Sequence, residues 1–246
     1  MAVRVSLQGV VLLVSLGRPQ VRNCVSPEVA RELYRVFSEF EKGPAKVAVL
    51  HGKDYFCAGF DLDCIADPTA VPPLTEARGP MGVTRLRLSK PVIAAVEGFA
   101  VAGGLELALW CDLVVAHNEA VFGVFCRRFG VPLIDGGTIR LAKVVGLSRA
   151  RDLILTGRPL GGVEAFAWGL ANRLVTSKEQ VLPEALQLAA DIAAFPFECL
   201  QADRASLEEA AFPNLERDLR TETRLGLQAL AHPSLRANVA KFRPRL

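Results

Sequence analysis

The stretch that most constrains the fold runs from Pro91 to Ala116. It opens with an apolar β-type run, Pro91 to Val96, and crosses a connection holding Gly98, Gly103 and Gly104. It then continues as a helical pattern with a single carboxylate, Glu106. A second apolar run, Leu113 to Ala116, follows. Strand, glycine-rich turn, helix and strand in that order make a crossover unit, which joins parallel strands and calls for a sheet covered by helices. The helix that begins at the paired glycines leaves its first N–H groups without internal partners, and its dipole adds partial positive charge there. An anionic oxygen can be held at such an end. Glu106 stands one turn further in, so the pattern suggests an oxyanion site with an acid or base beside it.

The neighbouring elements extend this α/β reading. Val3 to Leu7 and Val10 to Leu16 form a hairpin turning near Gln8-Gly9, and Ser26-Pro27 supply an N-cap and first-turn proline for a helix through about Lys42. Gly43-Pro44 ends that helix and Ala45 to Leu50 is a buried strand, completing another crossover unit. Asp67 to Pro80 holds four prolines and reads as irregular, a segment able to cover or gate a site. Met81 to Ser89 reads as helical, Val121 to Val131 as partly extended, and Leu174-Val175 as a last short strand. Thr138 to Val145, Ser148 to Leu155 and Gly162 to Trp168 are short helices separated by glycines. From Pro183 onward the spacing is amphipathic and helical, with breaks at Pro196, Pro213 and Pro233.

Phe56-Cys57-Ala58-Gly59-Phe60-Asp61-Leu62 resembles the F-C-A-G-x-D-L hallmark of the enoyl-CoA hydratase/isomerase (crotonase) superfamily, and Ala94 to Asp112 resembles that family's second hallmark. Lesser similarity lies in Leu16 to Pro19, Phe122-Gly123, Gly136-Gly137-Thr138 and Leu155 to Gly157. The resemblance implies a spiral of repeated ββα units over residues 1–195, with a C-terminal helical subdomain over 196–246 that helps build a homotrimer or dimer of trimers. It also implies an acyl-CoA substrate whose thioester oxygen is held by the backbone N–H groups of Phe60 and Gly103. No separate cofactor is implied, because coenzyme A is part of the substrate. The expected reaction is hydration of a 2-enoyl-CoA. The alternatives are another isomerase, lyase or hydrolase of the family, or a non-catalytic acyl-CoA-binding protein.

Glu106 matches the family glutamate that activates water, and its apolar neighbours suggest a desolvated carboxyl with a raised pKa. Where hydratases of the family carry a second glutamate, this chain has Cys126, and a thiol is a poor proton donor in its place. Asp135 either replaces the missing acid or acts as an N-cap before Gly136-Gly137-Thr138. Arg127 and Arg128 either orient an acidic acyl group, pair with Asp135, or are surface charges. The resemblance places Arg18, Arg22 and Ala58 at the CoA moiety, with Lys241 reaching it from a neighbouring subunit; the alternative for the three cations is that they are solvated charges on loops. Asp61 is expected to cap the turn that aims the Phe60 N–H, and Asp112 to end its helix.

Composition narrows the remaining classes. Half of the 246 residues are apolar and 22% charged, enough for a substantial core, and the net charge of +3 has no basic stripe that would argue for nucleic acid. The six cysteines show no C-x-x-C pair and no ligand-like clustering with the three histidines, and they read as reduced thiols of a cytoplasmic protein. No apolar run approaches a membrane span. The final Pro244-Arg245-Leu246 resembles the peroxisomal S-K-L signal only loosely, and leaves that address as the alternative.

Overall fold

The structure, a computed structural model, describes residues 2–66 and 78–240. Most of the proline-rich segment, Lys241 and the C-terminal tripeptide lie outside the described residues.

The hairpin forms as expected. Strands β1 (Val3–Gln8) and β2 (Val11–Leu16) pair antiparallel around Gly9, whose φ of +60° favours a residue without a Cβ. Helix α1 (Pro27–Lys42) starts at Ser26, whose hydroxyl accepts from the Val29 N–H, and leads back to β3 (Val47–Gly52), parallel to β2. After the short helix α2 (Leu62–Ala66), strand β4 (Val92–Val96) pairs parallel with β3. The crossover from β4 runs through β5 (Phe99–Val101) and α3 (Gly103–Trp110) to β6 (Leu113–His117), parallel to β4.

The second half repeats this logic in shorter pieces. Strand β7 (Val121–Gly123) pairs with β5, and a 3-10 turn spans Phe125–Phe129. Helices α4 (Gly137–Val145) and α5 (Leu147–Thr156) are followed by β8 (Leu160–Gly161), α6 (Gly162–Ala167) and β9 (Arg173–Val175). Helices α7 (Val181–Ala193), α8 (Phe197–Ala211), α9 (Leu215–Leu230) and α10 (Ser234–Ala240) complete the described chain. The main sheet has the order β1-β2-β3-β4-β6-β9, and a smaller sheet has the order β5-β7-β8.

The central strands are buried on both faces, and alternation sorts their side chains between two cores. Val11, Leu13, Val47, Val49, Ile93, Ala95 and Val115 pack against α7, which meets them with Val181, Ala185, Ala189 and Ala193. The opposite faces, with Val14, Leu50, Ala94, Val96 and Val114, join α1 and α3 in the larger core.

Met81 to Ser89 forms turns rather than the expected helix. Gly82 takes a φ of +84° and lies so close to the backbone of α1 that a Cβ would stand 3.0 Å from the Ala30 Cα. The Met81 N–H and the Thr84 hydroxyl both donate to Asp135, so polar bonds to a distant residue replace those of a helix here.

Candidate active site

Two loops lie side by side in the hallmark region. The Cys57 N–H donates to the Phe99 carbonyl and the Val101 N–H to the Cys57 carbonyl, so the segment before Phe60 runs parallel to the one that enters α3. Gly59, at φ +101°, lies so close that a Cβ there would stand 3.0 Å from the Gly103 nitrogen. Ala102 just before it holds φ +53°, ψ −126°, a conformation costing an alanine roughly 1–3 kcal/mol. It is held there by its N–H to the Gly123 carbonyl and by its own carbonyl, which accepts from Leu105 and Glu106. Phe60 and Gly103 are both partly exposed, and neither amide donates to an acceptor among the described residues.

Glu106, in the first turn of α3, is only 3% exposed. Its Oε1 accepts from the Asp135 N–H at 2.8 Å and the Gly137 N–H at 2.9 Å. Its packing leaves no space for a side chain at 137, where a Cβ would stand 2.8 Å from both the Glu106 Cγ and Oε1. Burial, and then the charges of Asp135 and Glu222, push its pKa well above the usual carboxylate range against the pull of the two amides.

Asp135 is also buried, but it is not the N-cap of α4. Its Oδ1 turns back to the Gly79–Thr84 turn, accepting from the Thr84 hydroxyl at 2.5 Å and the Met81 N–H at 3.2 Å. Burial raises its pKa to about 6, with those two bonds and the Arg85 charge opposing. The Met81 side chain is fully buried against Gly103, where a Cβ would meet its sulfur at 2.5 Å. The start of α4 is instead served by carboxylates distant in sequence, Glu106 and Glu222 of α9. Glu222 accepts from the Gly136 N–H at 2.6 Å, the Thr138 N–H at 3.0 Å and the Thr138 hydroxyl at 2.7 Å. Arg140, buried below them, donates to the carbonyls of Asp135 and Thr84.

Cys126 is buried in the 3-10 turn beside this group, and burial followed by the Glu106 charge pushes its thiol up to about 12. Arg127 and Arg128 do not reach Asp135. Arg127 donates to the Ile154 carbonyl and Arg128 to the Gly157 carbonyl, satisfying the end of α5. Arg18, Arg22 and Ala58 gather at a second place. The Ala58 N–H donates to the Arg22 carbonyl, Arg22 sits with its guanidinium 5.7 Å from the Phe99 ring centre, and Arg18 pairs with Asp61 at 3.2 Å. Asp61 also accepts from the Asp63 N–H, closing the turn after Phe60. Asp112 follows α3, accepting from the Val92 N–H and from Arg204 of α8.

Glu222, Arg140, Thr84 and Met81 escaped the sequence reading. One signal for Glu222 was present: it shares a face of α9 with Leu219 and Gly226, a charge on an otherwise apolar stripe. Among the described residues, no group of three or more His, Cys, Asp or Glu is placed to hold a metal ion, and no helix is long and apolar enough to cross a membrane.

The fold is that of a crotonase-type α/β spiral, with a buried carboxylate in the first turn of the helix that begins at Gly103. It matches the structure of OdaA from Pseudomonas aeruginosa with a TM-score of 0.91 at 25% identity, over 99% of both chains. It matches EchA1_1 from Mycobacterium paratuberculosis with a TM-score of 0.88 at 31% identity, over 97% of this chain and 95% of that one. In sequence, the chain is 32% identical to a carnitinyl-CoA dehydratase of Proteus mirabilis over 100% of this chain and 90% of the relative. It is 38% identical to the mevalonyl-coenzyme A hydratase sidH of Aspergillus fumigatus over 74% of this chain and 68% of the relative. The family model for enoyl-CoA hydratase/isomerase matches residues 6–245, and the chain belongs to that family.

Proposed function

We propose that the protein hydrates a 2-enoyl-CoA to a 3-hydroxyacyl-CoA. The observation that carries this reading is the desolvated Glu106 one turn inside α3, whose first amide stands unbonded next to the Gly59-Phe60 loop. The relatives named as CoA-thioester hydratase and dehydratase support the same class of reaction. The N–H groups of Phe60 and Gly103 hold the thioester oxygen. Water adds to the β-carbon as Glu106 takes its proton, and the electron pair of the double bond moves onto the thioester as an enolate. Two preorganised donors stabilise that oxygen while its charge develops, each worth about 100-fold or more in rate.

Asp135 then gives its proton to the α-carbon. The site resets when Glu106 loses its proton to solvent and Asp135 regains one, and because Glu106 holds its proton more tightly than Asp135, the competent state is the minor one of the pair. Between the two candidate acids the proton affinities favour Asp135. A carboxyl with a pKa of about 6 exchanges a proton near neutrality, whereas a thiol at about 12 does not. The CoA moiety lies along Arg18, Arg22 and Ala58, with Lys241 of a neighbouring subunit completing its site. Residues 196–246 form the oligomerisation region of a homotrimer or dimer of trimers. That assignment is supported by α8, which buries none of its residues and leaves Leu207 67% exposed.

Steady-state assays with crotonyl-CoA and longer enoyl-CoAs test the reading. Glu106→Gln is expected to lower kcat at least 100-fold while acyl-CoA binding survives. Turnover unchanged by that substitution removes Glu106 from the chemistry. Tight acyl-CoA binding with no turnover of any enoyl-CoA would assign the chain to non-catalytic binding instead. Asp135→Asn is expected to lower kcat strongly and Cys126→Ala only a few-fold, and the reverse order makes Cys126 the acid.

A further inference from the structure

Four consecutive amides at the start of α4 are divided between two carboxylates. Those of Asp135 and Gly137 go to a single oxygen of Glu106, and those of Gly136 and Thr138 go to the two oxygens of Glu222. The alternation means that neither pair of donors can turn without the other. Rotating the peptide planes at Gly136 to follow a displaced Glu222 would swing the Asp135 and Gly137 amides away from Glu106. Glu222 is 6% exposed, comes from a helix 84 residues beyond Thr138, and has its grip completed by the Thr138 hydroxyl.

We propose that Glu222 is a positioning residue: from the C-terminal helix α9 it fixes the amide strip that orients the Glu106 carboxylate, and so couples the C-terminal helices to the reacting group. The inference rests on the assignment of Glu106 as the base, and it makes α9 part of the site's framework rather than an appendage. Glu106 has one oxygen saturated by two main-chain donors, while its other oxygen accepts nothing from the described residues. A carboxylate held by one oxygen keeps the second aimed in one direction, as a base that must meet a water molecule requires.

The charged and titratable groups around Glu106 come from four places. Asp135 and Arg140 flank it from the loop and α4, Cys126 from the 3-10 turn and Glu222 from α9. Glu222 is a like charge whose effect on Glu106 exceeds that of either amide bond, so its removal favours ionisation of Glu106 even where one of the two amides is loosened. Replacement of Glu222 therefore has two effects that a merely structural role would not combine: a loss in kcat with KM nearly unchanged, and a move of the acidic limb of the pH profile to lower pH.

The test uses full-length Glu222→Gln, which keeps the size of the side chain but leaves it one acceptor oxygen for the three donors. With crotonyl-CoA over pH 5–9, kcat is expected to fall about 10-fold or more, with KM within about 2-fold and the acidic limb shifted to lower pH. A kcat and an acidic limb equal to wild type overturn the proposal. Infrared titration gives a readout that needs no turnover: the protonated-carboxyl band that Glu106→Gln removes should show its midpoint at lower pH in Glu222→Gln. If wild-type protein hydrates no enoyl-CoA, the proposed function fails while this midpoint still decides the coupling, and a midpoint that does not move overturns it. Should Glu222→Gln not fold, Thr138→Val withdraws only the hydroxyl donor. It is expected to lower kcat several-fold and to shift the midpoint in the same direction by less. Wild-type values in both measurements count against the coupling.

Discussion

Asp135→Asn is expected to stabilise the protein, and to do so more as the pH rises. In the folded chain this carboxyl titrates at about 6, against 3.8 for an unperturbed aspartate, because burial penalises its charged form. A folded pKa above the unfolded one means that the folded state binds more protons between the two values, so stability falls as pH rises through that window. The penalty is absent below about pH 4, amounts to about 1.5 kcal/mol at pH 5 and levels off at about 3 kcal/mol above pH 7, at about 1.4 kcal/mol per pKa unit. An asparagine keeps the Oδ1 that accepts from Thr84 and Met81 and gives up only the desolvated charge. Urea denaturation of both proteins at pH 5 and pH 7.5 should show the advantage of the variant doubling between them. In thermal unfolding, 3 kcal/mol corresponds to about 6 °C for a chain of 246 residues. An advantage that stays constant with pH, or a variant that is less stable at both, refutes the assignment of a buried and incompletely compensated charge.

Gly104→Ala should abolish soluble expression, because its Cβ would fall 2.7 Å from the Cys57 carbonyl carbon, within backbone that cannot yield. Gly103→Ala is expected to fold, since the obstruction is the end of the flexible Met81 side chain; circular dichroism and solubility separate the two. Asp112→Ala should cost about 2–4 kcal/mol in denaturation assays, because it leaves the Val92 N–H and the largely buried Arg204 guanidinium without their shared acceptor.

How much of this was readable beforehand follows from the range of the forces involved. Local rules were sufficient for the hairpin at Gly9, for α1 from Ser26 and Pro27, and for the β4-α3-β6 crossover, where each boundary is set by a turn residue or a cap within a few positions. The same rules failed at Met81–Ser89, where the apolar spacing suits a helix but Gly82 lies against the backbone of α1 and Asp135 takes the polar groups. They failed again at Asp135, whose position before Gly136-Gly137 looks like a cap. The helix is capped from 84 residues away instead, by a side chain with no local mark except that it interrupts an apolar stripe. Glu106 was legible because its position relative to Gly103 is fixed by one helical turn. Glu222 was not, because nothing local ties α9 to α4.

The way the buried charges are compensated is itself an argument for chemistry over simple stability. A guanidinium forked onto Glu106 or Asp135 would lower its pKa by roughly 1–3 units and leave a poor base. Arg140 is the buried cation beside them, yet it spends its donors on the carbonyls of Asp135 and Thr84. The carboxylates receive main-chain amides and one hydroxyl each from Thr84 and Thr138, which orient them firmly while offsetting only part of the desolvation. Arg140 thus braces the two segments that carry the donors without neutralising the groups that the donors hold. Orientation and proton affinity are set by different residues, so Glu106 can be held rigidly without being made a weak base.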